Sequence, residues 1–304
     1  MANEVAVKQD EGKKSIVAYL TSPAVRENIT SVLGKDHVDS FVSDVVACVQ
    51  NTPALGKCTN TSIFTAALLS KSINLPLTPQ LGYAYLVPYD NKKQVDGHTE
   101  WVKEATFQMG WKGYVQLALR SQNYRKLIAT DVRKGEINGY NPFDDKYEIQ
   151  PLDFEKRNAK DDKGNYIIPI IGYYAKMEMT NGFVKEMYMS HEDMLAFATK
   201  YSKSYRSDKD KHTSYSFWTI KFEDMAKKTM LRQLLGKWGL LTAELEAAYT
   251  HDMATIDMDG NIDYVDNKPD DPEPVVNPFK NEVIDAEAVE IPVDISNEAE
   301  EVFK

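Results

Sequence analysis

The stretch from Gly110 to Gly135, GWKGYVQLALRSQNYRKLIATDVRKG, constrains the fold most. Two glycines bracket Trp111 and Lys112. Val115, Ala118 and Leu119 then recur at near-helical spacing. Residues 127–132 (LIATDV) alternate in part and are rich in β-branched side chains, the pattern of a strand. The segment therefore reads as a helix opened by glycine and running into a strand. Cations and rings interleave along it: Trp111, Lys112, Tyr114, Arg120, Tyr124, Arg125, Lys126, Arg133 and Lys134. Lysine and arginine attract phosphates, and flat rings offer faces for bases without reading their order. The expectation is a core that binds single-stranded nucleic acid, with the rest of the chain placing, multiplying or regulating it.

The flanking segments predict an α+β fold. Residues 81–89 and 101–109 read as a β-hairpin about a polar turn at 91–98, with Trp101, Lys103, Ala105, Phe107 and Met109 on one face of its second strand. With the helix and strand above, this gives β-β-α-β. Upstream, short helices are expected over 15–20, from Pro23 onward, over 39–50 (Phe41, Val45, Val46 and Val49 on one face) and over 59–72, capped by Thr59 or Asn60. Downstream, residues 139–142 read as a turn, 146–150 as a strand and 158–165 as a polar loop. Asn181 and Gly182 mark a hairpin between 167–179 and 183–189. Ser190 caps a helix to about Tyr201. Residues 200–211 read as a mobile basic loop, 215–237 as one long helix and 242–253 as a last one.

The net charge of −10 is unevenly spread. From Asp257 to Lys304 there are 15 acids and 3 basic residues, −12, which leaves +2 for the rest. Residues 200–237 hold 10 lysines or arginines against 4 acids. Low hydrophobicity and five prolines predict a disordered acidic tail from 257. The resulting division is an N-terminal arm with short helices at 1–35, a binding core at 36–256 and a tail at 257–304. By its sign the tail is expected to compete for a basic groove or to contact a partner, and its deletion to leave the core folded.

Setting Lys221 at zero on a helical wheel puts Lys228 at about −20°, Arg232 at about +20° and Trp218 at about +60°. No acid sits four residues after any of the three cations to neutralise that stripe, so it is a candidate phosphate track. The candidate nucleic-acid contacts are therefore Lys103, Lys112, Arg120, Arg125, Lys126, Arg133, Lys221, Lys228 and Arg232 for phosphates. Lys203 and Arg206 are second choices, and Phe107, Trp111, Tyr114 and Trp218 are candidates for stacking.

Other chemistry is less well supported. Cys48 and Cys58 read as reduced thiols, and the five histidines share no metal-ligand spacing with them. Gly56 to Thr59 (GKCT) lacks the earlier glycine of a phosphate loop, since Asn51 stands there. Asp144, Asp145, Glu148, Asp153 and Glu178 keep a metal-dependent nuclease open as an alternative, as does a non-annealing nucleic-acid-binding protein. No apolar run spans a bilayer and the first residues lack a signal core, so a cytoplasmic protein is expected.

PALG at 53–56, LGYAYLVP at 81–88, GWKG at 110–113, ALRS at 118–121, Phe217–Trp218 and MAKKT at 225–229 together resemble the RecT family of phage and prophage recombinases. The resemblance runs from about Thr52 to Tyr249. It departs at Trp111, where the family often carries tyrosine, and it keeps the ring. It implies a compact β-β-β-α core and annealing of complementary single strands without ATP, with magnesium at most a counterion of the DNA. It further implies a homo-oligomeric ring or helical filament that carries the single strand and the annealed duplex intermediate. A phage 5′-to-3′ exonuclease and a host single-strand-binding protein are the implied partners.

Overall fold

Ser15 begins the chain of caps that organises the N-terminal helices. The computed structural model describes residues 15–95, 98–256 and 262–264. The Ser15 hydroxyl accepts from Ala18 N and opens α1 (Ile16–Leu20). Pro23 stands in the first turn of α2 (Pro23–Leu33), and Gly34 ends it at φ 83°. A 3₁₀ turn leads to α3 (Val38–Asn51), and a second one over Pro53–Lys57 to α4 (Asn60–Ser72), capped by Thr59. The expected apolar faces meet: the Phe41 and Phe64 rings lie edge to face at 6.3 Å.

β1 (Ala84–Val95) and β2 (His98–Met109) pair antiparallel from Ala84↔Met109 to Val95↔His98. The hairpin is therefore longer than expected, since residues 91–95 belong to a strand rather than to a polar turn. α5 (Trp111–Arg120) follows directly, then β3 (Tyr124–Arg133). β4 (Ile137–Asn141) and β5 (Lys146–Ile149) form a small hairpin, with Gly139 inside a strand where a turn was expected. α6 (Phe154–Asn158) precedes β6 (Ile170–Met179) and β7 (Val184–Ser190). Ser190 caps α7 (His191–Tyr201) as expected.

The anticipated loop at 200–211 is largely α8 (Lys203–Lys211). Ser202 accepts from Tyr205 N at its start, and the Arg206 guanidinium donates to the Thr199 and Lys200 carbonyls that end α7. Capping of this kind settles short polar helices that composition assigns to loops. The long helix expected after it is broken. α9 (Phe217–Ile220) stops at Lys221, whose φ −138° and ψ 57° are not helical, and α10 (Phe222–Trp238) restarts there. α11 (Ala243–His251), β8 (Ala254–Ile256) and β9 (Ile262–Tyr264) complete the described chain. The segment from 257, expected to be disordered, thus contains a strand at 262–264; the rest of it, like residues 1–14, lies outside the described residues.

The strands form two main antiparallel sheets, β1-β2-β8-β9 and β3-β6-β7, and the pair β4-β5. β3 thus belongs to a different sheet from the β1–β2 hairpin. α10 packs against β6, β3 and β7 and against α5. It is buried along most of its circumference, including Ala226, Met230, Leu231, Leu234 and Leu235. A helix covered on nearly all sides is a core helix. The α+β architecture is as the sequence predicts.

Candidate nucleic-acid interface

The GWKG motif sets the site. Gly110 N donates to Tyr83 O at 2.9 Å and starts α5 against the residues that lead into β1. A Cβ on Gly110 would lie 2.2 Å from Gly82 O, and one on Gly113 would lie 2.3 Å from Tyr83 O. Only glycine permits this approach, and it aims Trp111 and Lys112 outward beside the α9–α10 junction.

A groove of about 230 Å³ opens there, lined by Gln80, Tyr85, Trp111, Lys112, Phe217 and Lys221, with Lys228 at its floor. The Tyr85 and Phe217 rings lie 6.3 Å apart, tilted at 37°. The Trp111 indole donates to Asp224 Oδ1 at 3.0 Å. Its ring has the Lys112 and Lys227 ammonium groups at 5.8 and 5.7 Å from the centroid. Burial, and secondarily the Asp224 charge, push the Tyr85 hydroxyl above its ordinary pKa, so it stays a neutral donor.

Beneath the groove, one carboxylate gathers two of the expected phosphate contacts. Asp252, which the sequence reading did not single out, is fully buried; it accepts from Lys228 Nζ at 2.8 Å, Met109 N at 2.9 Å, Tyr114 Oη at 3.1 Å and Arg232 Nη1 at 3.2 Å. Burial, then the Asp252 charge, hold the Tyr114 hydroxyl well above its usual pKa, so it remains a donor. Lys228 and Arg232 are on one stripe, as expected, but the stripe faces inward. Lys221, outside the helix, does not share it.

The other expected contacts divide clearly. Phe107, Tyr114 and Trp218 are core residues; Trp218 packs on Phe197, Tyr205 and Phe222. Arg133 is buried, with its guanidinium 3.5 Å from the Tyr166 ring centroid. Its Nε is 3.0 Å from Asp131 Oδ2 but is not aligned as a hydrogen bond. Arg120 donates to the Ile73 and Asn74 carbonyls and closes the end of α4. Arg206 performs the capping already described. Lys103 pairs across the hairpin with Asp90 at 2.7 Å, and Arg125 with Glu178 at 3.3 Å. Lys112, Lys126, Lys203 and Lys221 are exposed. Of these, the groove unites Lys112 and Lys221, with Trp111 and the floor residue Lys228. Tyr85 and Phe217 were not proposed as contacts, although both lie in motifs that carry the resemblance.

A larger cleft, about 840 Å³, lies between β3, β6 and the β4–β5 hairpin and includes Lys126. Two of its carboxylates are held by cations, Glu136 by Arg157 at 2.7 Å and Glu186 by Lys176 at 2.8 Å. Size favours this cleft, but charge favours the groove, because the cleft lining carries five acids against four cations whereas the groove lining carries Asp224 against three lysines. Of the acids kept open for a nuclease, Asp144 and Glu148 line this cleft, whereas Asp145 meets Tyr140 and Lys185 and Glu178 meets Arg125. Among the described residues, no group of three histidines, cysteines or carboxylates converges on a possible metal position. No helix among them is long and apolar enough to cross a membrane.

Cations flanking aromatic rings in an open groove are the equipment of proteins that hold nucleic-acid strands. A sequence profile of the RecT family matches residues 39–269, and the chain belongs to that family, the single-strand annealing proteins of recombination. It is 30% identical over 288 residues to Uncharacterized protein YqaK of Bacillus subtilis (strain 168), covering 90% of this chain and 89% of that relative. It is 23% identical over 239 residues to Protein RecT of Escherichia coli (strain K12), covering 78% and 80% respectively.

Proposed function

We propose that this chain anneals complementary DNA strands without ATP by holding one strand along the groove between the start of α5 and the α9–α10 junction. Lys112 and Lys221 contact phosphates, and Trp111, Tyr85 and Phe217 support bases or sugars. The observation that carries the reading is one groove that brings the exposed Lys112 and Lys221 to the Trp111, Tyr85 and Phe217 rings. Such cations neutralise a strand and release its counterions.

Two strands repel at every phosphate. A ring or helical filament of subunits lines the grooves into one track and lowers that repulsion over many nucleotides. Each subunit then needs only a weak grip, because later contacts form at high local concentration. Correct pairing supplies about 1.4 kcal/mol per stacked step, so no hydrolysis is needed. Magnesium acts at most as a counterion. In the bacterial cytoplasm, a 5′-to-3′ exonuclease supplies the single strands, and the acidic tail is the segment that meets that enzyme or the host single-strand-binding protein.

The test follows annealing of complementary oligonucleotides by fluorescence quenching, with and without ATP. Acceleration by the wild-type chain in both conditions, reduced in the Lys112→Ala, Lys221→Ala double variant, is the expected result. Acceleration that needs ATP, or that survives the double substitution unchanged, contradicts the proposal.

A further inference from the structure

The tip of the β4–β5 hairpin carries a phenyl ring that is 96% exposed, that of Phe143. The turn that bears it is nevertheless firmly built. Asn141 Oδ1 accepts from Phe143 N at 3.0 Å, and Asn141 Nδ2 donates to Asp144 at 2.6 Å. Tyr140 donates its hydroxyl to Asp145 at 2.7 Å, and Lys185 of β7 pairs with the same carboxylate. Single exposed rings on proteins are ordinary, but a bare ring on a braced tip is a shaped apolar projection. Lys185 neutralises Asp145, but the exposed Asp144 beside the ring favours a protein partner over a phosphate backbone.

A matching recess exists in the same chain. A cavity of about 270 Å³ opens between α3, α4 and the segment 74–80, with Phe41, Val45, Ala67, Leu75 and Leu77 in its apolar lining. Lys71 stands at its rim, 2.9 Å from Asp44, and is placed to meet the acidic shoulder of the tip. Tip and recess belong to different parts of the fold: the hairpin rests on β7, while α4 packs against β2. The other cavities suit the ring less well. The groove is assigned to DNA, and the wide cleft is lined by charges.

We infer that Phe143 of one copy docks into the α3–α4 recess of the next, as the anchor of a head-to-tail contact between subunits. This rests on the oligomeric reading above and names its contact. A pairing of two different surfaces propagates into a ring or a filament rather than ending at a dimer. A buried aromatic anchor is the kind of residue that dominates such contacts.

The full-length chain supplies its own reporter, because free Cys48 lines the recess. In Pro142→Cys, which keeps the Phe143 ring, a short bismaleimide is expected to join the new thiol at the exposed tip to Cys48 of the adjacent copy and give a ladder of dimers, trimers and longer species on a denaturing gel. Adding Cys48→Ser abolishes the ladder although Cys58 remains. Phe143→Asp raises the protein concentration needed for assembly on single-stranded DNA by roughly tenfold or more, whereas Phe143→Leu preserves assembly. No cross-link in Pro142→Cys, a dimer band alone, or assembly of Phe143→Asp at the wild-type concentration overturns the contact. Binding of an oligonucleotide short enough for one subunit is measured in parallel. Intact binding with an unaffected assembly overturns the contact alone; a wild-type chain that neither binds nor assembles overturns the annealing reading as well.

Discussion

Lys228 Nζ lies 2.8 Å from Asp252 Oδ1, while Arg232 Nη1 lies 3.2 Å from the other oxygen of the same carboxylate. Two cations share one buried anion, so the cluster is held together by its acid. Asp252→Ala strands both cations and is expected to destabilise the fold by about 3–5 kcal/mol. Lys228→Met leaves a one-to-one Arg232–Asp252 pair and costs less. Urea unfolding of the two variants checks the order; an Asp252→Ala chain as stable as wild type contradicts it.

Gly113 is the glycine inside α5 at the close approach to the residues before β1. An added methyl meets Tyr83 O at 2.3 Å and the Met109 side chain at 2.8 Å. Gly113→Ala is therefore expected to lower stability by about 1–3 kcal/mol and to displace α5, despite alanine's better helix propensity. A thermal melt that rises or stays unchanged contradicts this.

Asp208 ties α8 to the start of α9. It accepts from Thr213 Oγ1 at 2.7 Å through one oxygen, and through the other from Ser216 N, Thr219 Oγ1 and Tyr215 N. Burial pushes its carboxyl up, but these hydrogen bonds together draw it below the usual carboxylate range. A carboxyl depressed in the folded state contributes stability above its unfolded pKa and loses it as pH falls through the folded value. Wild type is thus expected to lose more stability than Asp208→Asn between about pH 5 and pH 3. Parallel slopes in denaturant titrations across that window contradict the assignment.

Trp111 combines a ring at the groove with an indole donor to Asp224. Trp111→Phe keeps the ring and is expected to retain most single-strand affinity. Trp111→Ala is expected to lose about 1–3 kcal/mol, the range for base stacking on an aromatic ring. Fluorescence anisotropy with a labelled oligonucleotide separates the two, and equal losses argue against stacking.

The sequence shows most of the local structure and part of the site. Thr59, Ser190 and the Asn181–Gly182 turn act through neighbours a few residues away, so their signals are local. The GWKG glycines likewise mark a close approach, although its partner, the Tyr83 carbonyl, is visible only in the fold. Long-range contacts were not legible. Lys228 and Arg232 do share a face, but the absence of an acid four residues after either says nothing about Asp252, which arrives from beyond α11. Phe107 lies opposite Ala254 of β8, so the face that alternation identifies is covered there by core. Trp101, on the same strand face, is 67% exposed because the hairpin runs out past that core. Lys221 lost its place on the wheel to a single non-helical residue, which periodicity does not resolve.

The decisive measurement is the slope of log K for single-stranded DNA against log salt concentration. Each phosphate contact on a single strand contributes about 0.7 to that slope. If Lys112 and Lys221 are the contacts, their double alanine variant should flatten it by about 1.4, while Lys228→Met, whose charge faces Asp252, should leave it unchanged. A folded double variant with the wild-type slope, or a Lys228→Met chain with a flattened one, would contradict the account and return the phosphate track to α10.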